Sequence, residues 1–530
     1  MAIQSEGVCL SALLKGLVAV APVQDRTVSG LSLDSRTVRQ GELFIALEGQ
    51  VTHGIEFAPG ALARGAAAVL WETTAQHRVD NRLDLDRIAQ KVPLIRVPRL
   101  SEHLGRLASR FYGNPSQALR VIGITGTDGK TSTSQFVAQA LEHLGFSVGV
   151  MGTLGYGRLG EFTEASHTTP DAIRVQQWLA RFRDQGSKFV VMEASSHGLE
   201  LGRVNGITFE TAVFTNLTRD HLDFHGNMKN YARAKSRLFE MPGLKQAVLN
   251  LDDPLGAELF AKIHTRVACI GYTLAEQVPA GVARGLSVAR MDFGLDGLEV
   301  DINSSWGSAT LRCRLLGRFN VSNLLAALGV LLSVGIDFKR AVAALEHVTT
   351  VPGRMELIEA PLDRLAPRVV VDYAHTPGAL EQVLSALRAH CTGQLWCVFG
   401  CGGDRDRGKR SLMGACAEAL ADRIVITDDN PRSESPAAIV ADIISGLQRK
   451  EQVKIEHDRA RAIRWVIQSA TAQDLVLVAG KGHENYQIVG TVKKAFSDHE
   501  QVRRCLQELA TTAGTQELEQ CREQLPKGKV

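Results

Sequence analysis

The sequence lacks a long uninterrupted apolar run. Its 530 residues are 45% hydrophobic, yet the longest apolar stretch, residues 10–23, is broken by Ser11, Lys15 and Gly16. A membrane-spanning helix needs about 18 consecutive apolar residues, so the pattern excludes such a helix and indicates a globular chain. Residues 1–7 also lack the basic segment of a secretory leader, and we therefore expect a cytoplasmic protein.

An excess of charge of one sign is also missing. The chain has 60 Lys and Arg against 57 Asp and Glu, which gives a formal net charge of +3. A nucleic-acid surface requires clustered basic residues, and no block of like charges occurs in the sequence. We therefore expect small-molecule substrates and no nucleic-acid partner.

Closely spaced cysteine pairs of the CxxC kind are absent. Nine cysteines are scattered from Cys9 to Cys521. Disulfide frameworks and zinc sites both need cysteines in recognisable pairs, so this distribution favours reduced, mostly buried thiols. Cys397 and Cys401, the closest two, are interpreted as packing residues.

Short β-branched runs alternate with helical patterns along most of the chain. Continuous apolar runs of this kind, without strict alternation, are typical of parallel strands covered by helices on both faces. The pattern predicts an α/β fold. The clearest predicted strands are residues 121–125, 189–192, 212–214, 247–249, 369–371, 395–399, 423–426 and 475–478.

The length predicts three or four domains at about 100 to 200 residues each. Turn-forming residues mark a first boundary in the segment FYGNPS, residues 111–116, and a second near residues 351–353. The resulting division is a small α/β domain at residues 1–115, a central domain at 116–350, a C-terminal domain at 351–509 and a polar tail at 510–530.

The most specific motif is a glycine-rich turn between a predicted strand and a predicted helix, GTDGKT at residues 126–131. The backbone N–H groups of such a turn converge on phosphate oxygens, and the helix N-terminus adds a partial positive charge. Lys130 supplies a full positive charge, and the hydroxyl of Thr131 can bind Mg²⁺. Ile124 replaces the first glycine of the general motif, which disfavours common kinases and GTPases.

Three further features of the central domain each allow two interpretations. Glu193, at the end of a strand, is either a Mg²⁺ ligand or a helix cap. The segment TNLTRDHLDFHG, residues 215–226, either ligates metal or contains ordinary hydrogen-bonded histidines. Lys235 lies among apolar neighbours, where it is either a snorkelling side chain or a neutral amine that reacts with CO₂ to give a metal-binding carbamate.

Polar segments also follow strands of the C-terminal domain. GCGGDRDRGKR, residues 400–410, is either an anion site or a solvated basic loop. TDDNPR, residues 427–432, and GKGHE, residues 480–484, combine an arginine with a glutamate, which suits the carboxylate and ammonium of an amino acid. A surface turn beside a glycine-rich strand end is the alternative.

Together these segments resemble the Mur ligases, which form amide bonds with ATP in peptidoglycan synthesis, a process that supports cell shape and division. The resemblance runs from LDSRTV at Leu33 to the GKGHE segment ending at Glu484. It implies a three-domain architecture with a UDP-binding domain, a central P-loop ATPase-like domain and a C-terminal Rossmann-like domain. We expect a monomer.

The resemblance also implies the site residues. ATP would contact Gly126, Thr127, Asp128, Gly129, Lys130, Thr131, Ser132, Asn320, Arg354, Asp372 and His375. The UDP-N-acetylmuramoyl dipeptide would contact Leu33, Ser35, Gln50, Val51, Thr52, His167, Thr168, Thr169, Ser195, Leu201 and Arg203. The incoming amino acid would contact Arg405, Asp429, Asn430, Pro431, Arg432, Gly480 and Glu484.

The chemistry implied by the family is attack of a substrate carboxylate on the γ-phosphate of ATP, followed by attack of an amine on the resulting acyl phosphate. Both anions need positive charge between them, supplied by Lys130 and by two Mg²⁺ ions. One ion would be held by Thr131 and Glu193, the other by His221 and a carbamate on Lys235. These four residues and Lys130 are the predicted catalytic and metal-binding set.

The choice of amino acid depends on the DNPR segment. Family members that add meso-2,6-diaminopimelate carry the arginine, whereas those that add L-lysine lack it. Arg432 would be buried without a partner beside lysine, which has no distal carboxylate. The alternatives are the lysine-adding activity, a folylpolyglutamate synthase, and a non-catalytic binding member.

Several positions depart from the family pattern. They concern substrate contacts more than phosphate chemistry, except for the additional carboxylate in the phosphate loop. The departing positions are Thr52, His53, Asp128, Ser132, His167 and Leu201.

Overall fold

The computed structural model describes residues 7–49, 52–73, 84–165, 167–358 and 366–523, without the side chains of residues 73, 223 and 512–523. The chain divides into two compact units. The first comprises residues 1–273, 278–286 and 325–341, and the second comprises residues 274–277, 287–324 and 342–530. No helix within the described ranges is long and apolar enough to cross a membrane.

The first unit begins with a small α/β module. Its sheet is parallel, in the order β3-β4-β5-β6, and apolar side chains cover both faces. A short antiparallel pair, β1 and β2, precedes the sheet. The elements are β1 (Val8–Cys9), α1 (Leu10–Leu13), β2 (Thr27–Val28), β3 (Leu31–Ser32), β4 (Leu43–Ala46), α2 (Ala58–Ala63), β5 (Ala68–Thr73), α3 (Leu85–Ala89), β6 (Leu94–Pro98) and α4 (Leu100–Phe111).

The larger part of the first unit contains eight neighbouring strands of an eleven-stranded sheet, in the order β10-β9-β8-β11-β7-β12-β13-β14. Strands β8, β11, β7, β12, β13 and β14 are parallel, and β9 and β10 form an antiparallel edge. The elements are β7 (Arg120–Thr125), α5 (Lys130–His143), β8 (Val148–Gly152), β9 (Gly155–Arg158), β10 (Glu161–Thr163), α6 (Ala172–Asp184), β11 (Phe189–Glu193), α7 (Ser196–Glu200), β12 (Phe209–Phe214), α8 (Leu222–His225), α9 (Met228–Ser236), β13 (Gln246–Asn250), α10 (Pro254–Ile263) and β14 (Ala268–Tyr272).

The register of this sheet brings three strand ends together. Ile124 of β7 pairs with Glu193 of β11, and Thr125 pairs with Phe214 of β12. Since the three strands are parallel, the residues that follow them emerge at one edge, where α/β proteins bind ligands. The four predicted strands of this region are confirmed.

The second unit has a mostly parallel sheet in the order β18-β19-β23-β20-β21-β22, with β18 antiparallel to β19. Strand β15 and helices α11 and α12 contribute residues to both units. The elements are β15 (Gly285–Gly294), β16 (Gly297–Ser304), β17 (Gly307–Cys313), α11 (Arg318–Ser333), α12 (Phe338–Leu345), β18 (Glu356–Ile358), β19 (Arg368–Asp372), α13 (Pro377–Arg388), β20 (Leu395–Phe399), α14 (Gly408–Leu420), β21 (Arg423–Ile426), α15 (Pro436–Ile444), β22 (Val453–Ile455), α16 (Arg459–Ser469), β23 (Leu475–Ala479), β24 (Tyr486–Val489), β25 (Val492–Ala495) and α17 (Asp498–Glu523).

The alternating faces of the second sheet explain its continuous apolar runs. Leu475 and Leu477 of β23 belong to one buried cluster, whereas Val476 and Val478 belong to the cluster on the opposite face. Both faces are therefore covered, which requires apolar residues at every position of a central strand. The α/β prediction and the four predicted strands of this region are confirmed.

Residues 510–523 continue helix α17, and the division of the chain at residues 115, 350 and 509 stays a prediction.

The described cysteines are free thiols, as the sequence predicts. Cys397 and Cys401 are buried in the apolar cluster that covers one face of the sheet of the second unit. Burial raises the pKa of the Cys401 thiol to about 12 and raises the pKa of Cys397 further still. Cys9 is exposed.

A fully buried ion pair fixes the start of two helices in the second unit. Arg459 begins α16 and Asp498 begins α17, and both side chains have 0% of their surface exposed. Arg459 donates to both carboxylate oxygens of Asp498 at 2.8 Å and to the carbonyl of Ala479, at the end of β23, at 2.9 Å. Removing one partner would leave an unpaired buried charge.

We predict that Asp498→Asn lowers the free energy of unfolding of this unit by about 3 to 5 kcal/mol. Urea unfolding, with hydrogen exchange of residues 459–469 as a local reporter, measures the change. Glu508→Gln is the control, because Glu508 pairs with Arg464 at 3.3 Å in an exposed position and such pairs contribute about 1 kcal/mol or less. Equal effects of the two substitutions would contradict the prediction.

Candidate active site

The glycine-rich turn lies between β7 and α5, where the sequence predicts a phosphate loop. Gly126 has a φ of 152° and Gly129 a φ of 79°, in a region that side-chain-bearing residues rarely adopt. A Cβ atom at Gly126 would also lie 1.8 Å from Oγ1 of Thr215. Packing and backbone conformation therefore both require glycine at this position.

Side chains from the neighbouring strand end support the loop. The backbone N–H of Asp128 donates to Oδ1 of Asn216 at 2.9 Å, and Thr218 Oγ1 donates to the Asp128 carboxylate at 3.1 Å. Lys130 Nζ donates to the carbonyls of Gly126 and Thr127 at 3.1 and 2.7 Å. Residues 215–218 thus support the loop through hydrogen bonds to Asp128, and the Lys130 side chain folds back onto the loop carbonyls.

Glu193 is a buried carboxylate at the carboxyl end of β11. It accepts hydrogen bonds from Thr131 Oγ1 at 3.0 Å and from the N–H and Oγ1 of Thr153 at 2.8 and 3.2 Å. The cap of the following helix is Ser195, which accepts from Gly198 N–H at 3.1 Å, so Glu193 has no capping role. Burial raises the pKa of Glu193, and the charge of Lys130 opposes this shift.

The position of the Glu193 carboxylate depends on the glycine at residue 152. A Cβ atom at Gly152, the last residue of β8, would lie 2.2 Å from Oε1 of Glu193. The carboxylate therefore occupies the space that a side chain at residue 152 would fill. In this position it accepts a hydrogen bond from the Thr131 hydroxyl of the phosphate loop.

Lys235 of helix α9 reaches the backbone of the glycine-rich turn. Only 1% of its surface is exposed, its Nζ donates to the Gly126 carbonyl at 2.5 Å, and it lies 4.3 Å from the centre of the Tyr231 ring. Burial, assisted by repulsion from Lys130, lowers the pKa of Lys235 to about 6. A snorkelling lysine would carry its charge to solvent, so that interpretation does not fit.

The histidines of residues 215–226 differ from each other. His225 is hydrogen-bonded to Ser196 Oγ at 3.0 Å, so it is an ordinary buried histidine. His221 is half exposed, has a φ of 52°, and lies 3.3 Å from Asp220 and 4.9 Å, ring to ring, from His197. Within the described residues, no group of three or more His, Cys, Asp or Glu side chains is arranged to hold a metal ion.

A cavity of about 620 Å³ opens beside the Glu193 carboxylate, since Thr153 contacts both. Arg203 and Thr169, which form its wall, are joined by a hydrogen bond of 2.9 Å from the guanidinium to the Thr169 carbonyl. Seven predicted site residues line the cavity, together with Thr153, Ala165, His197 and Phe224, which the sequence analysis missed. The seven are His167, Thr168, Thr169, Ser195, Leu201, Arg203 and His221.

Thr153 could have been found from the sequence, because it directly follows the apolar run that forms β8. No comparable signal marks Phe224.

In the N-terminal module, Leu33 and Ser35 are half-buried after β3, and Thr52 Oγ1 donates to Glu56 at 2.6 Å. Gln50 and Val51 lie outside the described residues.

In the second unit, the two predicted amino-acid-binding segments meet at the carboxyl edge of the sheet. Asn430 Nδ2 donates to Glu484 Oε2 at 3.0 Å. Lys481, which the sequence analysis did not select, donates to the same oxygen at 3.0 Å and to Asn430 Oδ1 at 3.2 Å. Gly480 has a φ of 116°, and a Cβ there would lie 2.7 Å from the carboxylate of Asp429.

The arginine-rich loop at residues 400–407 lies against the DNPR segment. Arg432, with a φ of 50°, donates from its guanidinium to the Gly403 carbonyl at 2.8 Å. A Cβ at Gly402 would lie 2.9 Å from the Arg432 guanidinium and 3.6 Å from Cγ of Arg405. The two arginines thus flank Gly402, and Arg405 is exposed.

The predicted ATP-binding residues of the second unit lie in two places. Asp372 accepts from the N–H groups of Met355 and Ala374 at 2.7 and 2.6 Å, which joins the segments that carry Arg354 and His375, and burial raises the pKa of Asp372. Arg354 and His375 are exposed. Asn320, at the start of α11, is buried and donates to the Leu316 carbonyl at 2.8 Å.

Three family models match the chain in succession. They are described as the Mur ligase family catalytic domain, the Mur ligase middle domain and the Mur ligase glutamate ligase domain, and they match residues 27–112, 124–331 and 353–482.

Curated relatives cover nearly the whole chain. A protein of Coxiella burnetii named UDP-N-acetylmuramoyl-L-alanyl-D-glutamate–2,6-diaminopimelate ligase is 46% identical over 91% of this chain and 96% of its own length. A protein of the same name from Alkalilimnicola ehrlichii is 47% identical over 94% and 99%. A solved structure of a ligase of that name is 38% identical, with a TM-score of 0.74 over 94% of this chain and 99% of its own.

We predict that Asp128→Asn lowers the KM for ATP about fivefold, since it removes a negative charge that repels the triphosphate by about 1 kcal/mol. The asparagine keeps an acceptor for Thr218 Oγ1, so the loop conformation is retained. Initial rates against ATP concentration at low and high salt measure the change. An unchanged or higher KM at low salt would contradict the electrostatic explanation.

Proposed function

The chain belongs to the Mur ligase family, and from this premise we propose that it joins meso-2,6-diaminopimelate to UDP-N-acetylmuramoyl-L-alanyl-D-glutamate with ATP as co-substrate. The observation that carries this proposal is the pairing of Arg432 with Gly403 and of Asn430 with Glu484 and Lys481, in a region that Arg405 also borders through its Cγ. We place the reaction in the cytoplasm, catalysed by a monomer.

The first half-reaction needs a substrate carboxylate to approach the γ-phosphate of ATP. The phosphate loop offers backbone N–H groups, the N-terminus of α5 and the ammonium of Lys130, which together offset the negative charge of both reactants. The cavity lined by Thr168, Thr169 and Arg203 holds the muramoyl dipeptide, and the guanidinium of Arg203 suits its carboxylate. An acyl phosphate forms as ADP leaves.

The donor set around Thr131 and Glu193 fits Mg²⁺. A hydroxyl and a carboxylate 3.0 Å apart are hard oxygen ligands, and Mg²⁺ usually takes only one or two protein ligands beside water and phosphate oxygens. When bound, the ion supplies positive charge to the phosphates. Glu193 orients the Thr131 hydroxyl, and Thr153 keeps the carboxylate fixed.

Lys235 fits the carbamate that the family resemblance implies. With a pKa of about 6, its amine is largely neutral at pH 7 to 8 and can attack CO₂, and the carbamate would return a negative charge to a site that already contains Lys130. His221, whose ring lies 6.1 Å from that of Tyr231, would be the other protein ligand of a second Mg²⁺ ion.

In the second half-reaction, the amine of the amino acid attacks the acyl phosphate and phosphate leaves. The carboxylate at the far end of diaminopimelate pairs with Arg432 and Arg405, while Glu484 takes the adjacent ammonium through Oε1. Lys481 and Asn430 both bond to Oε2, which leaves Oε1 without a hydrogen bond from the described residues.

We predict that the purified protein releases phosphate from ATP with Mg²⁺ and the muramoyl dipeptide at least about a thousandfold faster, as kcat/KM, with meso-diaminopimelate than with L-lysine. With lysine, the Arg432 guanidinium would have no carboxylate partner. Coupled phosphate assays with each amino acid measure the ratio. No release with either amino acid would reject the enzyme proposal, and a preference for lysine would reject the role of Arg432.

We predict that Lys235→Ala lowers kcat more than about a hundredfold and that formate or acetate restores part of the activity by replacing the carbamate oxygens. Lys229→Ala, an exposed lysine on the same helix, is the control. The carbamate itself should appear in the wild type as a ¹³C signal after labelling with ¹³C-bicarbonate. Full activity of Lys235→Ala would remove this residue from the site.

A further inference from the structure

Arg410 is a fully buried arginine in the first turn of α14, with 0% of its side chain exposed. Its guanidinium donates to the two carboxylate oxygens of Glu434 at 2.8 and 2.9 Å, to Asp442 at 2.8 Å and to the Gly402 carbonyl at 3.2 Å. These four bonds reach two loops and helix α15. Arg410 is therefore bound from three directions.

The two loops that Arg410 joins are the arginine loop, residues 400–407, and the DNPR loop, residues 427–434. Further bonds run directly between them: Gly403 N–H donates to the Asn430 carbonyl at 2.9 Å, and Asp404 N–H donates to Glu434 at 2.6 Å. A Cβ atom at Gly403 would lie 1.9 Å from the Pro431 carbonyl. The two backbones are thus as close as glycine permits.

Arg410 is fully buried, whereas the side chains of Glu434 and Asp442 are 23% and 30% exposed. Arg410 holds the pKa of Glu434 at about 2 and lowers the pKa of Asp442, so both carboxylates are ionised. A buried ion pair is a weak source of stability compared with apolar packing of the same volume, whereas its geometry is strict. The arrangement is suited to fixing the separation of the two loops.

We propose that Arg410 is a positioning residue that sets the spacing of Arg405 and Arg432 and so selects acceptors with a distal carboxylate. Arg410 fixes the carbonyl of Gly402, the adjacent carbonyl of Gly403 receives the Arg432 guanidinium, and a Cβ atom at Gly402 would lie 3.6 Å from Cγ of Arg405. A shift of the arginine loop would separate the two cations. This inference rests on the proposed function.

The test compares Arg410→Met with Arg407→Met. Arg407 lies in the arginine loop, bonds the same Asp442 at 3.2 Å and is 66% exposed, but it makes no hydrogen bond to Glu434 or Gly402. We expect Arg410→Met to raise the KM for meso-diaminopimelate at least about tenfold, with kcat and the KM for ATP changed less than about twofold. The advantage of diaminopimelate over L-lysine should fall by the same factor, and Arg407→Met should leave all values near the wild type.

Glu434→Gln covers the case in which Arg410→Met does not fold, because it keeps the volume of the side chain and removes only its charge. It should raise the KM for diaminopimelate in the same selective way, and because Asp442 still pairs with Arg410, the unfolding midpoint should fall less than in Arg410→Met. An unchanged KM for diaminopimelate, or an equal loss of kcat and of affinity for every substrate, would overturn the inference. An inactive wild-type protein would instead reject the proposed function.

Discussion

The constraint on which the first unit depends is the placing of ionisable groups in a region from which water is largely excluded. Glu193 and Lys235 are both buried, and Lys130 lies near each of them. Burial shifts a carboxylate and an ammonium in opposite directions, towards the neutral form in both cases. Ionisable groups with pKa values shifted by burial cluster at functional sites, and these two groups contact Thr131 and Gly126 of the glycine-rich turn.

In both units, parallel strands bring residues that are distant in sequence to one edge of a sheet. The residues after β7, β11 and β12 converge at one edge, as do those after β20, β21 and β23 in the second unit. Glycines permit the closest approaches: Gly126 against Thr215, Gly152 against Glu193 and Gly403 against Pro431. In each case the absence of a side chain creates room for a functional group or for a neighbouring backbone, so these glycines are required by contacts distant in sequence.

The sequence predicted the strands and the phosphate loop because their signals are local: an apolar run, a glycine turn and a helical period are all contained in a few residues. Lys481 was missed because its role depends on a partner 51 residues away. The position of Thr153 after an apolar run was a usable signal, but its contact with Glu193, 40 residues away, was not visible in the sequence. Arg410 was hidden for another reason. It stands in a segment with three other basic residues, Arg405, Arg407 and Lys409, and composition does not indicate which of them faces Glu434. Burial and hydrogen-bond partners were likewise needed to exclude the helix-cap interpretation of Glu193 and the snorkelling interpretation of Lys235.

The burial of the thiols has a consequence for the chemistry of the molecule in an oxidising environment. Oxidants and alkylating reagents attack the thiolate, and the raised pKa values of Cys397 and Cys401 keep both sulfurs protonated over the physiological range. Both thiols are thus expected to react slowly with peroxide and with alkylating reagents. The exposed Cys9, far along the chain from the phosphate loop, offers a natural attachment point for a maleimide dye that leaves both sheets intact.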